Sequence, residues 1–152
     1  MSKSPSNKSK ARPAARLAAV QALYQHAMEG TPQATLLDEF HRHRLGAEIE
    51  GDQYAEAEVA FFDAIVLGVI ARYEEIDERI SARLAEGWKL ERLDRTMLQI
   101  LRAGTWELLA RPDVPTASAI SEYVDVAHAF FDAREAKFVN GVLDAVAKDV
   151  RG

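Results

Sequence analysis

The sequence predicts an all-α fold, a helical bundle of about six to seven helices. Apolar side chains recur at intervals of three and four residues along most of the chain, and no stretch alternates apolar and polar residues as a half-buried strand would. Gly30, Gly87, Pro112 and Pro115 fall between the periodic stretches, where helices are expected to end. With 152 residues, of which 48% are hydrophobic, the chain is long enough to bury a core.

The first half of the chain predicts three helices. The first starts at Pro13, which suits a first helical position, and is closed by Gly30. Its apolar stripe is expected to consist of Leu17, Val20, Tyr24 and Met28. A short second helix lies around residues 36–40 and is followed by a polar stretch, residues 41–51, that is expected to be a loop. A long apolar element around residues 61–69 gives the third helix.

The remainder of the chain predicts four more helices, the first of them still ahead of the expected boundary near Trp88. The apolar spacing continues over residues 76–84 and breaks at Gly87. Asp94 is expected to cap the next helix, because its carboxylate can accept hydrogen bonds from the free N–H groups of a first turn. That helix ends before residues 111–115, where two prolines prevent helix formation. The last two helices are expected around residues 120–130 and from Lys137 onward.

The composition divides the chain into an arm and a domain. Residues 1–11 are rich in Ser and Lys and have almost nothing to bury, so we expect a flexible basic arm. Residues 12–152 are expected to form a single helical domain, with packed three-helix-like sub-bundles at about residues 12–88 and 93–152.

Several classes of protein are disfavoured by the composition. The chain has no cysteine, which rules out disulfides, thiolate zinc sites and cysteine nucleophiles. No apolar run approaches the roughly 18 residues that a membrane helix needs, and no apolar signal segment follows the basic start. The expected location is cytoplasmic.

The charge distribution points to a polyanionic partner. The net charge is −5, yet the first acidic residue is Glu29, and five basic residues precede it. They are Lys3, Lys8, Lys10, Arg12 and Arg16. At about 100° per residue, Arg12 and Arg16 lie about 40° apart on the first helix, and we expect both to point into solvent as an anion site. The alternative is an ordinary solubilising tail, and composition alone does not decide between them.

A second candidate site lies at residues 137–144. Phe138 falls about 90° from the centre of the apolar stripe of its helix, with Lys137 and Asn140 on the far side. An exposed ring beside a lysine and an amide could stack on an unpaired RNA base. The alternative reading is a residue at the edge of the core, with Gly141 allowing close helix packing. The residues alone favour this alternative.

Catalysis finds little support in the sequence. His41 and His43 are two residues apart and cannot share a helix face, and neither His26 nor His128 has ligands at suitable spacing. No phosphate loop or hydrolase motif is present, and no metal site is expected. Trp88 and Trp106 are expected to be core anchors.

Four blocks of the sequence resemble the NusB family of bacterial transcription antitermination factors. The order and spacing match over roughly residues 12–150. The first and last blocks are specific when they occur together. The blocks are residues 14–25 (AARLAAVQALYQ), 92–95 (RLDR), 100–102 with 106–108 (ILR and WEL), and 137–144 (KFVNGVLD).

The resemblance implies a non-enzymatic RNA-binding adaptor built from two three-helix-like bundles. Such proteins bind the boxA element of ribosomal RNA leader transcripts together with NusE, a small-subunit ribosomal protein, and help RNA polymerase read through terminators. No cofactor, metal, membrane or small-molecule substrate is implied.

The resemblance also implies the residues that make these contacts, and it reverses the preference for Phe138. The expected RNA-binding residues are Lys10, Arg12, Arg16, Lys137, Phe138 and Asn140. Tyr24 matches a tyrosine on the NusE-facing surface. Met97 stands where many relatives have a glutamate that faces NusE, so this contact is expected to be missing or differently made.

Two other classes remain as alternatives. One is a relative of the NusB-like N-terminal domain of an RNA cytosine methyltransferase, although the chain has neither a glycine-rich cofactor motif nor the cysteine nucleophile. The other is a helical module that binds only proteins. Titration with boxA RNA, alone and with NusE, separates these classes.

Overall fold

The structure, a computed structural model, describes residues 5–45 and 52–152, without the side chains of residues 5–11, 52–55 and 57. Within these ranges it consists of α-helices and connecting turns and contains no strand, which confirms the predicted fold class. A short 3₁₀ turn, Leu90–Arg92, precedes the fifth helix. The helices are α1 (Pro5–Glu29), α2 (Gln33–His43), α3 (Asp52–Ala71), α4 (Tyr73–Ser81), α5 (Arg95–Ala110), α6 (Thr116–Phe130) and α7 (Ala133–Arg151).

The chain forms two compact units, Met1–Gly68 and Val69–Gly152. Helix α4 belongs to the second unit. Asp77 of α4 accepts two hydrogen bonds of 2.8 Å from the guanidinium of Arg102 on α5, a two-pronged ion pair that ties the helices together. The predicted boundary between the sub-bundles, near Trp88, assigned α4 to the first of them. Apolar spacing could not show the difference, because it gives no information about which helices are joined by ion pairs.

Three predicted boundaries were wrong. Helix α1 begins at Pro5, and Pro13 lies inside it, although an interior proline usually costs about 3 kcal/mol. Helix α2 continues to His43 and so includes the first residues of the predicted loop. Residues 46–51 of that loop lie outside the described residues. Helix α7 begins at Ala133 rather than near Lys137, since the intervening residues are good helix formers. Residues 1–4 also lie outside the description, and the flexibility of the arm stays a prediction.

The buried face of α1 differs from the predicted stripe. Tyr24 and Met28 are 38% and 52% exposed. The fully buried residues of this helix are instead mostly alanines, namely Ala15, Ala19, Val20, Ala22 and Leu23. The prediction gave weight to the large side chains, whereas α1 packs through small ones that allow close approach.

Helix α5 provides the core of the second unit. It is buried along most of its length, and the predicted cap is confirmed, since Asp94 Oδ1 accepts from the N–H groups of Thr96 and Met97 at 2.8 and 3.1 Å. Polar groups are buried as well: Tyr123 Oη of α6 donates to Glu107 Oε1 of α5 at 2.8 Å. This bond links α5 to α6 inside the core.

Replacing Gly104 by alanine is expected to lower the free energy of unfolding by about 1–2 kcal/mol through overpacking. A Cβ at this position of α5 would lie 2.8 Å from Cδ1 of Leu143, which is fully buried and has little room to move. Gly141→Ala is the matched control, because nothing in the described part of the chain lies within 4 Å of its Cβ position. It should raise stability by about 1 kcal/mol through helix propensity. Urea denaturation measures both, and equal effects would contradict the packing argument.

The open surroundings of Gly141 also correct an interpretation of the sequence. Gly141 does not provide close packing between helices, since its Cβ position faces open space.

Candidate nucleic-acid interface

Two arginines of α1 share one aromatic ring. The guanidinium carbon of Arg12 lies 4.7 Å from the ring centroid of Phe61 on α3, and that of Arg16 lies 5.1 Å from it. Phe61 itself is only 4% exposed. Both distances fall within the range of cation–π attraction, so a buried ring holds the two cations in place. We call these three residues the arginine cluster.

The expectation that both arginines point into solvent is correct for Arg12 and wrong for Arg16. Arg12 is exposed, whereas Arg16 is 3% exposed. The reason is the position of the buried face: Arg16 precedes Leu23 by seven residues, about two helical turns, and therefore lies on the same side of α1. Only Arg12 presents its charged group to an incoming anion.

A cavity of about 480 Å³ in the second unit forms the other candidate site. Its main feature is an aromatic pair, Trp88 and Phe138, with ring centroids 6.3 Å apart and planes at 41°. Trp88 is 57% exposed and Phe138 is half-buried. We call this cavity the aromatic cleft. It is lined by Trp88, Arg92, Leu93, Asp94, Met97, Arg134, Glu135 and Phe138.

The position of Trp88 corrects the prediction that both tryptophans are core anchors. Trp106 is 6% exposed, as expected, but Trp88 lies in the segment between α4 and the 3₁₀ turn. Gly87, with φ of +89°, reverses the backbone just before it, a conformation that other residues rarely adopt. The sequence did contain a signal that Trp88 is exposed, because a tryptophan between Gly87 and Lys89 belongs to no apolar helical stripe that would bury it.

The remaining predicted RNA-binding residues lie in different places. Lys137 and Asn140 are exposed on α7 but do not line the cleft that Phe138 lines. The side chain of Lys10 lies outside the described residues.

The two predicted partner-protein residues differ in accessibility. Tyr24 is 38% exposed on α1, so it lies at the margin of the core as the resemblance required. Met97 lines the aromatic cleft but is only 5% exposed. At this exposure Met97 leaves little surface for a partner protein, whereas Tyr24 leaves considerably more.

Two of the four histidines have ordinary structural partners. His41 Nε2 lies 2.6 Å from Asp63 Oδ1, and His26 Nδ1 lies 2.8 Å from the carbonyl oxygen of Thr31. No group of three or more His, Asp or Glu side chains in residues 5–45 and 52–152 is arranged to hold a metal ion. Among the helices of the described residues, none combines the length and apolar character needed to cross a membrane.

Comparison with known proteins gives concordant matches over nearly the whole chain. The model of the NusB family matches residues 13–148. The transcription antitermination protein NusB of Novosphingobium aromaticivorans is 73% identical over 142 residues, covering 93% of this chain and 96% of that protein.

Solved structures agree with the sequence matches. The NusB of T. maritima superposes with a TM-score of 0.75 at 31% identity, covering 91% of each chain. A crystal structure described as the antitermination factors NusB and NusE in complex with dsRNA superposes with a TM-score of 0.73 at 26% identity, covering 92% of this chain and 98% of that one. Family model, sequence identity and fold therefore agree that this chain belongs to the NusB family.

Proposed function

We propose that this chain is an RNA-binding transcription antitermination factor that binds boxA RNA of ribosomal RNA leader transcripts together with NusE and supports read-through by RNA polymerase. The observation that carries the proposal is the half-buried ring of Phe138, which opens into a cleft whose rim has exposed cations. Supporting it, a NusB of similar fold was solved in complex with NusE and dsRNA.

Phe138 supplies the chemistry for recognising unpaired bases. An exposed aromatic face stacks on any base, and such stacking typically contributes about 1–3 kcal/mol per base. The exposed ammonium of Lys137, adjacent in α7, can meet a phosphate of the same strand. Asn140 offers an amide donor and acceptor for a base edge.

The arginine cluster supplies a phosphate contact in the first unit. Arg12 presents an exposed guanidinium, and the ring of Phe61 restricts its motion, so less freedom is lost when a phosphate binds. Arg16, being buried, acts on RNA only by supporting Phe61.

The protein partner is proposed to dock at Tyr24. Tyr24 is 38% exposed, and Met28, one turn further along α1, is 52% exposed and extends the apolar surface. The net charge of −5 favours a basic partner such as NusE. Met97 is too deeply buried to replace the glutamate contact that the resemblance implied.

The salt dependence of RNA affinity tests the phosphate contacts. If three to five phosphates are neutralised, the logarithm of affinity should fall with the logarithm of salt concentration with a slope of about −2 to −3.5 for a single strand. Arg12→Ala should make that slope shallower by about 0.7 and weaken binding to all sequences alike. Fluorescence anisotropy of labelled boxA RNA at several salt concentrations measures both quantities.

Arg42→Ala is the matched control for this experiment. Arg42 is likewise an exposed arginine of the first unit, but it lies on α2 and is not one of the expected RNA-binding residues. Its replacement should leave the slope unchanged. A flat salt response of the unaltered protein, or the same slope in both variants, would contradict the proposed phosphate contacts.

A further inference from the structure

The exposure of Trp88 is not explained by the function proposed so far. Tryptophan carries the largest apolar surface of any side chain, and here the residue is 57% exposed. The backbone is specifically shaped to place it there, by the left-handed turn at Gly87 and a 3.0 Å hydrogen bond from the Trp88 N–H to the carbonyl oxygen of Ala85. A fixed and exposed aromatic ring is typical of a binding surface.

The aromatic cleft has the shape and lining of a slot for a flat ligand. Its volume of about 480 Å³ lies in the range typical of small-ligand sites. Leu93 and Met97, 6% and 5% exposed, are buried apolar members of the lining, and the rings of Trp88 and Phe138 line it as well. The 41° angle between the rings lets a planar group stack on one ring while its edge meets the other.

The charges at the rim favour an anionic ligand. Arg92 is exposed, and the side chain of Arg134 is 92% exposed. Two of the lining residues are acidic. Asp94 already accepts hydrogen bonds from two backbone N–H groups at the start of α5, and Glu135 Oε2 lies 3.8 Å from Nη2 of Arg134. An apolar, ring-lined slot with arginines at its rim matches a nucleobase with its flanking phosphates.

We propose that Trp88 is a second RNA-contacting aromatic residue, which together with Phe138 holds one unpaired nucleobase in the aromatic cleft while Arg92 and Arg134 contact adjacent phosphates. This inference rests on the proposed function, since it requires that the chain binds RNA. The base must come from a single-stranded stretch, because bases within a duplex expose no face for stacking.

Affinity measurements on Trp88 variants test the proposal. Trp88→Ala should weaken binding of single-stranded boxA RNA by about 5- to 150-fold, the factor expected for one stacked base. Trp88→Phe should retain most of the affinity because it keeps an aromatic face. Phe130→Ala is the matched control, since Phe130 is 40% exposed in the same unit but does not line the cleft. Its RNA affinity should equal that of the unaltered protein.

An abasic substitution series identifies the bound base. When each nucleotide of the RNA is made abasic in turn, the unaltered protein should lose affinity at one main position. In the Trp88→Ala protein the abasic change at that position should have little further effect, because the two alterations remove the same contact.

Tryptophan fluorescence gives a readout that a purely structural role would not change. The chain has two tryptophans, and Trp106 is only 6% exposed. A base stacked on Trp88 should quench the emission of the unaltered protein as RNA is added. The Trp88→Phe protein, which retains only Trp106, should show no comparable quenching while still binding RNA.

The outcomes separate this inference from the function on which it rests. Loss of affinity with Trp88→Ala, together with quenching, supports a base in the cleft. If the unaltered protein binds RNA, but Trp88→Ala binds equally well and no quenching occurs, the inference is wrong and the proposed function stands. If Trp88→Ala weakens binding of NusE but not of RNA, the cleft takes a protein side chain and the inference is likewise wrong. If the unaltered protein binds no RNA, both fail.

Discussion

Replacing Arg151 by alanine is expected to lower the free energy of unfolding by about 2–4 kcal/mol, a large effect for a single side chain. The Arg151 side chain donates to the carbonyl oxygens of Leu108 and Val114 at 2.9 and 2.7 Å. It also donates to the carbonyl oxygens of Glu107 and Arg111 and to Thr116 Oγ1.

These acceptors explain the size of the effect. The last carbonyls of α5 have no partner within their own helix, and a cation at a helix C-terminus also interacts favourably with the helix dipole. A single guanidinium of α7 therefore closes α5, holds the connecting turn at Val114 and fixes the start of α6. Without it, several partly buried carbonyl groups would depend on water.

Two further variants make the stability measurement specific. Arg151→Lys should give an intermediate loss, because an ammonium group has three donors and cannot reach all five acceptors. Lys148→Ala is the matched control on the same helix, since Lys148 is exposed and pairs with the exposed Asp144, and it should change stability by less than about 0.5 kcal/mol. Urea denaturation of the three proteins gives the comparison. An Arg151→Ala protein as stable as the Lys148→Ala protein would contradict the role assigned to Arg151.

Replacing Phe138 by alanine is expected to weaken boxA RNA binding by about 1–3 kcal/mol without unfolding the protein. The side chain is half-buried and contacts the exposed ring of Trp88, so its removal leaves the fully buried residues of α7, such as Val139 and Leu143, in place. Anisotropy titration gives the affinity, and circular dichroism verifies that the variant is folded.

A pair of conservative variants separates stacking from packing at this position. Phe138→Tyr keeps the aromatic face and should bind RNA nearly as well as the unaltered protein. Phe138→Leu keeps an apolar side chain but has no aromatic face, so it should lose most of the stacking contribution. If the leucine variant binds RNA as tightly as phenylalanine, Phe138 is only a residue at the edge of the core.

Much of the fold could be predicted because helix formation leaves local signals. The fold class follows from apolar spacing, and the cap at Asp94 follows from one carboxylate before an apolar run. Gly30 closes α1 as predicted, with φ of +71°. Family membership confirms the predictions of a NusB-family antitermination factor and of a non-enzymatic protein.

The errors concern features that depend on contacts between distant residues. Arg16 was expected in solvent because charged side chains usually are exposed. It lies on the same face of α1 as the buried alanines, however, and is therefore buried beside Phe61. Trp88 was expected in the core because most tryptophans are buried, yet no neighbouring stripe covers it. The RNA-binding and partner roles of the candidate residues stay predictions.

An NMR titration of the isotope-labelled chain with single-stranded boxA RNA tests most directly whether the two candidate surfaces contact RNA. The expected result is that the signals of Arg12 and Phe138 and the indole N–H of Trp88 shift as RNA is added, while the indole N–H of buried Trp106 stays in place. A complex in which the signals of Arg12 and Phe138 both stay in place would contradict the proposed contacts.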